Sequence, residues 1–216
     1  MEYIIEINDV SKKFKNVIVL DHVNLKIEKG TICGLIGMNG SGKTLLMKAI
    51  CGFLIPDEGE VLVRNMKIGK ECDFPSNIGV IIENPGFSQY LSGFKNLKNL
   101  ASIQKKISDK KIRDTMEAVG LDPFDKKWVS KYSLGMRQRL GIAQAFMEDQ
   151  DILILDEPMN GLDKKGVEEV RAILQQLKNQ GKTILIASHN PLDIQILCDS
   201  VYEMESGRLG KNNNDY

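Results

Sequence analysis

The chain has 216 residues, of which 42% are hydrophobic, and its 29 basic side chains balance its 29 acidic ones. This length supports one large domain, or one and a half, with a substantial core, while the balanced charge and the lack of a Lys/Arg stripe argue against a nucleic-acid partner. The four cysteines and two histidines show neither zinc-site spacing nor a disulfide framework, and no apolar run approaches the roughly 18 residues of a membrane span, so we expect a soluble chain.

The first third of the chain predicts several strands, a glycine-rich loop and one helix. Alternating or continuously apolar runs predict strands at 3–7, 23–27, 31–36, 60–63 and 78–82. The run 31–36 leads directly into the glycine-rich loop, and residues 43–50 predict a helix that ends near Gly52. This strand–loop–helix order is the context that a phosphate-binding loop requires.

The middle of the chain differs from its last third in periodicity. Between 84 and 149 apolar residues recur at helical spacing, which predicts a helical insertion. From 150 onward strands (152–155, 183–187, 200–204) alternate with helices (164–180, 192–198). We therefore expect a single domain over 1–216, with an α/β core (1–83 and 150–210), a helical subdomain (84–149) and a polar, frayed tail (211–216).

The segment Gly37–Thr44 has the pattern of a phosphate-binding loop. Its glycines let backbone N–H groups converge on an anion, and the following helix adds the positive end of its dipole. Lys43 is predicted to contact the β- and γ-phosphates, and the Thr44 hydroxyl to bind Mg²⁺, so we expect ATP and Mg²⁺ as cofactors. The candidate nucleotide ligands in this region are Thr31, Gly37, Asn39, Gly40, Ser41, Gly42, Lys43 and Thr44.

Two carboxylates end the apolar run 152–155. Since adjacent side chains at a strand end point to different sides, we expect Asp156 to hold Mg²⁺, directly or through water, and Glu157 to polarise the attacking water as general base. His189 follows the run 183–187 and is predicted to bond the γ-phosphate, with a structural role as the alternative. Lys43, Glu157 and His189 are the candidate catalytic residues.

Together with Ser133-Leu134-Gly135-Met136-Arg137-Gln138, these motifs resemble the nucleotide-binding subunits of ABC transporters over about residues 3–209. The family's motifs follow one order: P-loop, glutamine loop, signature, acidic strand, D-loop and switch histidine. Their counterparts here are 37–44, the loop around Glu83, 133–137, 152–157, 160–163 and His189. The resemblance implies an α/β fold with a P-loop NTPase core, in which a RecA-like mixed sheet carries an N-terminal antiparallel β piece and an inserted α-helical subdomain.

The resemblance also implies a second ATP-binding subunit. Ser133 and Gly135 open a helix and offer a hydroxyl and free N–H groups to an anion, but the chain has no second P-loop for them to face. In the family this turn faces the γ-phosphate bound by the other subunit, which implies an ATP-dependent homo- or heterodimer. Asp163, in the D-loop, is counted among the nucleotide ligands, and Phe14 is expected to stack on adenine, with core packing as the alternative.

Two departures from the family pattern narrow the interpretation. Leu134 stands where the common signature has glycine, and Glu83 replaces the usual glutamine. A carboxylate is a stronger Mg²⁺ ligand than an amide, so Thr44, Glu83 and Asp156 are the candidate metal ligands. The loop 83–87 and the signature look like the branch of bacitracin-resistance and lantibiotic-immunity transporters, which implies export of a peptide antibiotic or a related hydrophobic substrate.

The resemblance places the chain in the cytoplasm, peripheral on the inner face of the cell membrane, with transmembrane permease subunits docking near 83–100. The apolar residues expected there are Phe87, Tyr90, Leu91, Phe94 and Leu97, for each of which core packing is the alternative. Two other functions are weighed against this one. A soluble ABC-type switch in translation or DNA maintenance would need tandem cassettes or a long coiled coil, and a P-loop kinase leaves the signature unexplained.

Overall fold

The structure, a computed structural model, describes residues 2–83 and 85–212 and contains two sheets with helices packed around them. The strands are β1 (Tyr3–Phe14), β2 (Val17–Glu28), β3 (Ile32–Ile36), β4 (Glu58–Val63), β5 (Met66–Lys67), β6 (Ile78–Ile81), β7 (Ile152–Asp156), β8 (Thr183–Ala187), β9 (Ser200–Glu205) and β10 (Arg208–Lys211). The helices are α1 (Lys43–Ile50), α2 (Gly93–Gln104), α3 (Asp109–Ala118), α4 (Leu134–Phe146), α5 (Lys164–Asn179) and α6 (Pro191–Leu197), with a 3₁₀ turn at Val129–Lys131. The α/β class expected from the sequence is confirmed.

The larger sheet has the strand order β10-β9-β3-β8-β7-β6, in which only the pair β10–β9 is antiparallel. Successive residues of β8 enter different hydrophobic clusters, Ile184 in one and Leu185 in the other, so both faces of this strand are covered. That double burial explains the uninterrupted apolar run in the sequence. The residues that follow β3, β6, β7 and β8 meet at one side of the sheet, which we call the carboxyl edge; the opposite side is the amino edge.

The smaller sheet has the order β2-β1-β4-β5 and is antiparallel. Its strands β1 and β2 have 12 residues each and are much longer than the predicted strands 3–7 and 23–27. Register shifts after Ile7 and after Val10 interrupt the alternation, and Asp9 and His22 adopt left-handed backbone there. The alternating pattern therefore covers only part of each strand. Strands β5 and β10 were not predicted because they are short and polar.

Helices α2, α3 and α4 occupy the region predicted to be helical. Each begins after a serine whose hydroxyl accepts a backbone N–H three residues on, an N-cap worth about 1 kcal/mol; these caps are Ser92, Ser108 and Ser133. Leu97, Ile112 and Met116 are buried in one cluster with α4 and α5. The division of the chain at 84 and 149 stays a prediction.

The last part of the chain corrects the predicted tail. Lys211 is the final residue of β10, paired with Tyr202 of β9, so the strand extends into the segment expected to fray from 211. The rest of that prediction, for 213–216, lies outside the described residues. Within 2–83 and 85–212, no helix has the length and apolar character that crossing a membrane requires.

Candidate nucleotide site

The phosphate-binding loop connects β3 to α1 at the carboxyl edge. Gly37 has φ +143°, and a Cβ there would lie 2.2 Å from the Met204 carbonyl oxygen, so only glycine fits this close approach. Lys43 is buried, and its Nζ donates to the carbonyl oxygens of Gly37 at 2.7 Å and Met38 at 3.1 Å. The loop thus curls around one ammonium group, which forms no ion pair with any carboxylate of the described residues.

A cavity of about 400 Å³ opens in front of this loop. It brings together eight of the predicted site residues and adds four others. The predicted ones are Asn39, Gly40, Gly42, Lys43, Thr44, Glu83, Asp156 and Glu157; the others are Leu45, Leu134, Gln138 and Asn160. The cavity therefore collects residues from the ends of β3, β6 and β7 and from the start of α4.

The predicted Mg²⁺ ligands Thr44 and Asp156 are in direct contact, with Thr44 Oγ1 donating to Asp156 Oδ2 at 2.7 Å. Mg²⁺ takes oxygen ligands and is commonly held by one or two carboxylates together with substrate phosphates, so this oxygen pair beside the phosphate loop fits the ion. Over the described residues, no group of three or more His, Cys, Asp or Glu side chains forms a site that protein ligands alone would complete.

Glu157 follows β7 in left-handed backbone, with φ +50°. Its N–H donates to the Ala187 carbonyl at the end of β8, which ties the residue to the neighbouring strand. Its Oε2 lies 2.8 Å from His189 Nδ1 and accepts from the His189 N–H at 3.4 Å. The structure thus places two predicted catalytic residues together, because adjacent parallel strands end side by side.

Glu83 lies beyond the end of β6 and also has left-handed backbone, with φ +60°. Its carboxylate lines the cavity but pairs with Lys48 of α1, the Oε1–Nζ distance being 2.6 Å. Lys48 was not among the predicted site residues. Its signal is the spacing, since Lys48 lies four residues after Thr44 and therefore on the same side of α1.

The signature turn opens α4 as predicted, with the Ser133 hydroxyl accepting the Met136 N–H at 3.1 Å. Gly135 approaches the D-loop closely, because a Cβ on it would lie 3.1 Å from the Gly161 carbonyl oxygen. One turn further along the helix, Gln138 Nε2 donates to the Glu157 carbonyl oxygen at 3.2 Å. Sequence reasoning assigned no role to Leu134 or Gln138, although both line the cavity.

Seven predicted nucleotide ligands are not among the residues that line the cavity: Phe14, Thr31, Gly37, Ser41, Ser133, Gly135 and Asp163. Phe14 ends β1 with 47% of its surface exposed, which excludes core packing and leaves the ring accessible. Asp163 caps α5, its Oδ1 accepting the Gly166 N–H at 2.8 Å. The inclusion of Thr31 was wrong: it precedes β3 at the amino edge, where its hydroxyl donates to the Glu28 carbonyl oxygen, so the length of β3 separates it from the loop.

The segment predicted to dock a membrane partner divides into buried and exposed residues. Phe87 and Leu97 belong to the hydrophobic core, so the core alternative is correct for both. Tyr90 is 74% exposed and packs edge-on against Trp128, with ring centroids 5.9 Å apart. Trp128 was not predicted to lie here, because it is distant from Tyr90 in the sequence.

Comparison with known proteins decides the family. The ABC transporter family model matches residues 20–160. The chain is 48% identical to the uncharacterized ABC transporter ATP-binding protein YybJ of Bacillus subtilis (strain 168), over 95% of this chain and 94% of that protein. The chain belongs to the ABC transporter family. It is an ATP-binding subunit of that family and an ATPase, with ATP and Mg²⁺ as its cofactors.

Other relatives support the narrower branch within the ABC transporter family. The bacitracin transport ATP-binding protein BcrA of Enterococcus faecalis is 40% identical over 97% of this chain and 68% of that protein. The lantibiotic transport ATP-binding protein SrtF of Streptococcus pyogenes is 35% identical over 95% of this chain and 88% of that protein. A solved dimeric structure of MJ0796, a bacterial ABC transporter cassette, shares the fold with a TM-score of 0.88 at 24% identity, covering 98% of this chain and 99% of that one.

Proposed function

We propose that this ABC ATPase energises the export of a peptide antibiotic or a related hydrophobic compound through separate membrane subunits. One observation carries the hydrolytic part of the proposal. The Glu157–His189 pair lies at the same sheet edge as the Thr44–Asp156 oxygen pair and the ammonium of Lys43. A base, a set of oxygen ligands and a phosphate-binding cation are the groups that phosphoryl transfer to water requires.

Each of these residues has a distinct role in the proposal. Lys43 binds the β- and γ-phosphates, and Thr44 and Asp156 hold Mg²⁺, which neutralises phosphate charge when bound. Glu157 accepts a proton from the attacking water, and the contact with His189 orients its carboxylate. His189, held against the Glu157 carboxylate, donates a hydrogen bond to the γ-phosphate in this proposal. Glu83 is the third metal ligand in the proposal, and its carboxylate leaves Lys48 when it binds the ion.

The working unit in the proposal is a dimer. Ser133 caps α4 at a point where the helix presents free backbone N–H groups, which favour an anion. These groups bind the γ-phosphate held by a second ATP-binding subunit, so that ATP closes the dimer and hydrolysis opens it. Such a cycle works only if nucleotide binds the closed state more tightly than the open one. The accessible ring of Phe14 stacks on adenine.

The export part of the proposal rests on relatives and on one surface. BcrA and SrtF are named for bacitracin and lantibiotic transport, and both match nearly the whole of this chain. Permease subunits dock near 83–100, where Tyr90 and Trp128 present adjoining exposed rings. This docking makes the chain peripheral on the inner face of the cell membrane. Restored bacitracin or lantibiotic resistance in a sensitive strain, on expression with the cognate permease, tests the substrate class.

The hydrolytic mechanism is tested with Glu157→Gln, which keeps the shape of the side chain and removes the base. We expect turnover to fall by about 10²-fold or more, the weight of a general base, while Mg-ATP affinity is retained. Size-exclusion chromatography with Mg-ATP should show the variant as a nucleotide-bound dimer and the wild type mostly as a monomer. Unchanged turnover in Glu157→Gln would rule out the assigned base.

A further inference from the structure

Helix α4 turns one face toward two loops of the nucleotide site. Leu134, Gln138 and Gly141 recur at i, i+4 and i+7, a spacing that puts them on one side of a helix. We call these three residues the α4 seam. Leu134 and Gln138 line the cavity, and Gly141 lies further along the same helix.

Leu134 covers the backbone of Gly161 in the D-loop. A Cβ on Gly161 would lie 2.4 Å from Leu134 Cδ2 and 2.5 Å from Leu134 Cγ, and Gly161 has φ +75°. A larger residue at 161 is disfavoured, because an L side chain would displace the leucine and adopt an unfavourable backbone conformation. The leucine that departs from the common signature therefore has a defined contact within its own chain.

Gln138 and Gly141 extend the seam to the two loops that carry Glu157 and Glu83. The carbonyl oxygen of Glu157 accepts two donors, Gln138 Nε2 at 3.2 Å and the Asn160 N–H at 3.1 Å. A Cβ on Gly141 would lie 2.8 Å from Pro85 Cγ, so the loop that follows Glu83 rests on the helix backbone. One helix face thus contacts both the loop after β6 and the turn after β7.

We propose that Leu134 and Gln138 are positioning residues for Glu157, holding the turn 157–161 from the signature helix; this inference rests on the proposed role of Glu157 as base. Left-handed backbone at a non-glycine residue persists only where its surroundings enforce it. The turn has two anchors on α4, a side-chain hydrogen bond at 157 and a packed leucine at 161. A shift of α4, such as one imposed on Ser133 by a partner's nucleotide, then changes the position of the Glu157 carboxylate, and small displacements of a catalytic group cost large factors in rate.

The hydrogen bond is tested with Gln138→Met, which keeps the side-chain volume and removes the donor, and Gln138→Lys, which restores a donor. We expect kcat of the full chain to fall about tenfold in the first variant, with the KM for ATP and the Kd for Mg-ATP within about twofold of wild type. The lysine variant should recover most of the loss. Gln176→Ala, an exposed position on α5, is the control and should match wild type.

The leucine contact is tested in the same assay. Leu134→Ala removes the packing on Gly161 and should lower kcat several-fold while the KM for ATP stays within about twofold of wild type. Leu134→Met refills the space and should restore kcat. Wild-type kcat in both Gln138→Met and Leu134→Ala would overturn the inference, as would parallel losses of kcat, Mg-ATP affinity and melting temperature in both. These outcomes are separate from failure of the proposed base, which would show as unchanged turnover in Glu157→Gln.

Discussion

The carboxyl edge and the amino edge of the six-stranded sheet both carry charged side chains, and they use them in opposite ways. At the amino edge the charges pair with one another. Asp151 accepts from Arg64 Nη2 at 2.7 Å and from Asn77 Nδ2 at 2.8 Å, while Lys182 Nζ lies 2.8 Å from an Asp149 carboxylate oxygen. These side chains form one network of hydrogen bonds and ion pairs at the amino ends of β6, β7 and β8.

At the carboxyl edge Glu83 pairs with Lys48, but the charges of Lys43, Asp156 and Glu157 are not neutralised by a Lys, Arg, Asp or Glu partner among the described residues. Lys43 donates to backbone carbonyls, and Asp156 accepts from a hydroxyl. Among the described residues, neither Asp156 nor Glu157 has a Lys or Arg partner. The amino edge therefore satisfies its own charges and contributes to folding, whereas Lys43, Asp156 and Glu157 at the carboxyl edge keep their charge for a ligand.

The largest effect should come from deleting charge at the carboxyl edge. Lys43→Ala removes the one cation inside the phosphate loop, and we expect Mg-ATP affinity and turnover to fall by about 10²-fold or more. The melting temperature should change little, because the partners of Lys43 among the described residues are carbonyl oxygens of the loop itself. Equilibrium nucleotide binding and a phosphate-release assay measure the first effect, and thermal unfolding the second. ATP affinity that survives the substitution would contradict this division of the sheet.

The mirror substitution at the amino edge is Lys182→Met, which keeps the buried stem of the side chain and removes its ammonium. Lys182 Nζ contacts the Asp149 carbonyl oxygen at 3.0 Å as well as the carboxylates of Asp149 and Asp151. Since these carboxylates are partly solvated, we expect a loss of about 1–2 kcal/mol in unfolding free energy, measured by urea denaturation. The Kd for Mg-ATP should not change. An altered Kd with unchanged stability would reverse the proposed roles of the two edges.

A structural feature could be predicted from the sequence when its residues lie within one continuous segment. The strand–loop–helix unit at 32–50 was predicted to within one residue, because the buried run, the glycines and the helix are consecutive. The acidic end of β7 was predicted for the same reason, since the apolar run and its two carboxylates are consecutive.

Features that join distant segments were the ones missed. Lys48 meets Glu83, and Gln138 meets the Glu157 carbonyl, only because separate strands end at the same sheet edge. The prediction for Thr31 erred in the opposite way. Thr31 is close to the phosphate-binding loop in sequence, but the length of β3 separates the two in space. The periodicity of apolar residues along the sequence carries no information about such pairs. In β1 the bulges also interrupt the alternation of buried and exposed residues, so the local pattern reveals only part of the strand.

A smaller effect should follow from Glu83→Gln. The Glu83–Lys48 pair is largely exposed on the glutamate side, so its loss should cost well under about 1 kcal/mol of stability. Because the amide removes negative charge near the γ-phosphate, ATPase activity should be retained or raised a few-fold, whereas the coupling of hydrolysis to transport in membrane vesicles should change. Glu168→Gln, at an exposed position of α5, is the matched control. Loss of nucleotide binding in Glu83→Gln would exclude this interpretation.

The smallest expected effect is the pH dependence of the amino edge. The hydrogen bond from Arg64 is the main cause that holds the pKa of Asp151 below its ordinary value of 3.8, with Lys182 contributing. A carboxyl group with a lowered pKa in the folded state adds stability above its ordinary pKa and loses that contribution as the pH falls through the folded value. Between about pH 6 and pH 3, wild type should therefore lose more unfolding free energy than Arg64→Met, in which the lowering is weaker.

The difference should be below about 1 kcal/mol, because the Asp151 side chain is 46% exposed and solvent screens the pair. Urea denaturation at several pH values measures it as a difference between two slopes, so every other carboxylate of the chain contributes equally to both proteins. Arg208→Met, which breaks the pair of an exposed arginine with the half-buried Asp21 at a distant part of the fold, shows how large such a slope change is for a second ion pair. Identical slopes for wild type and Arg64→Met would mean that the amino-edge pair adds nothing to folding. The stability of that edge would then come from the buried strands β7 and β8 alone.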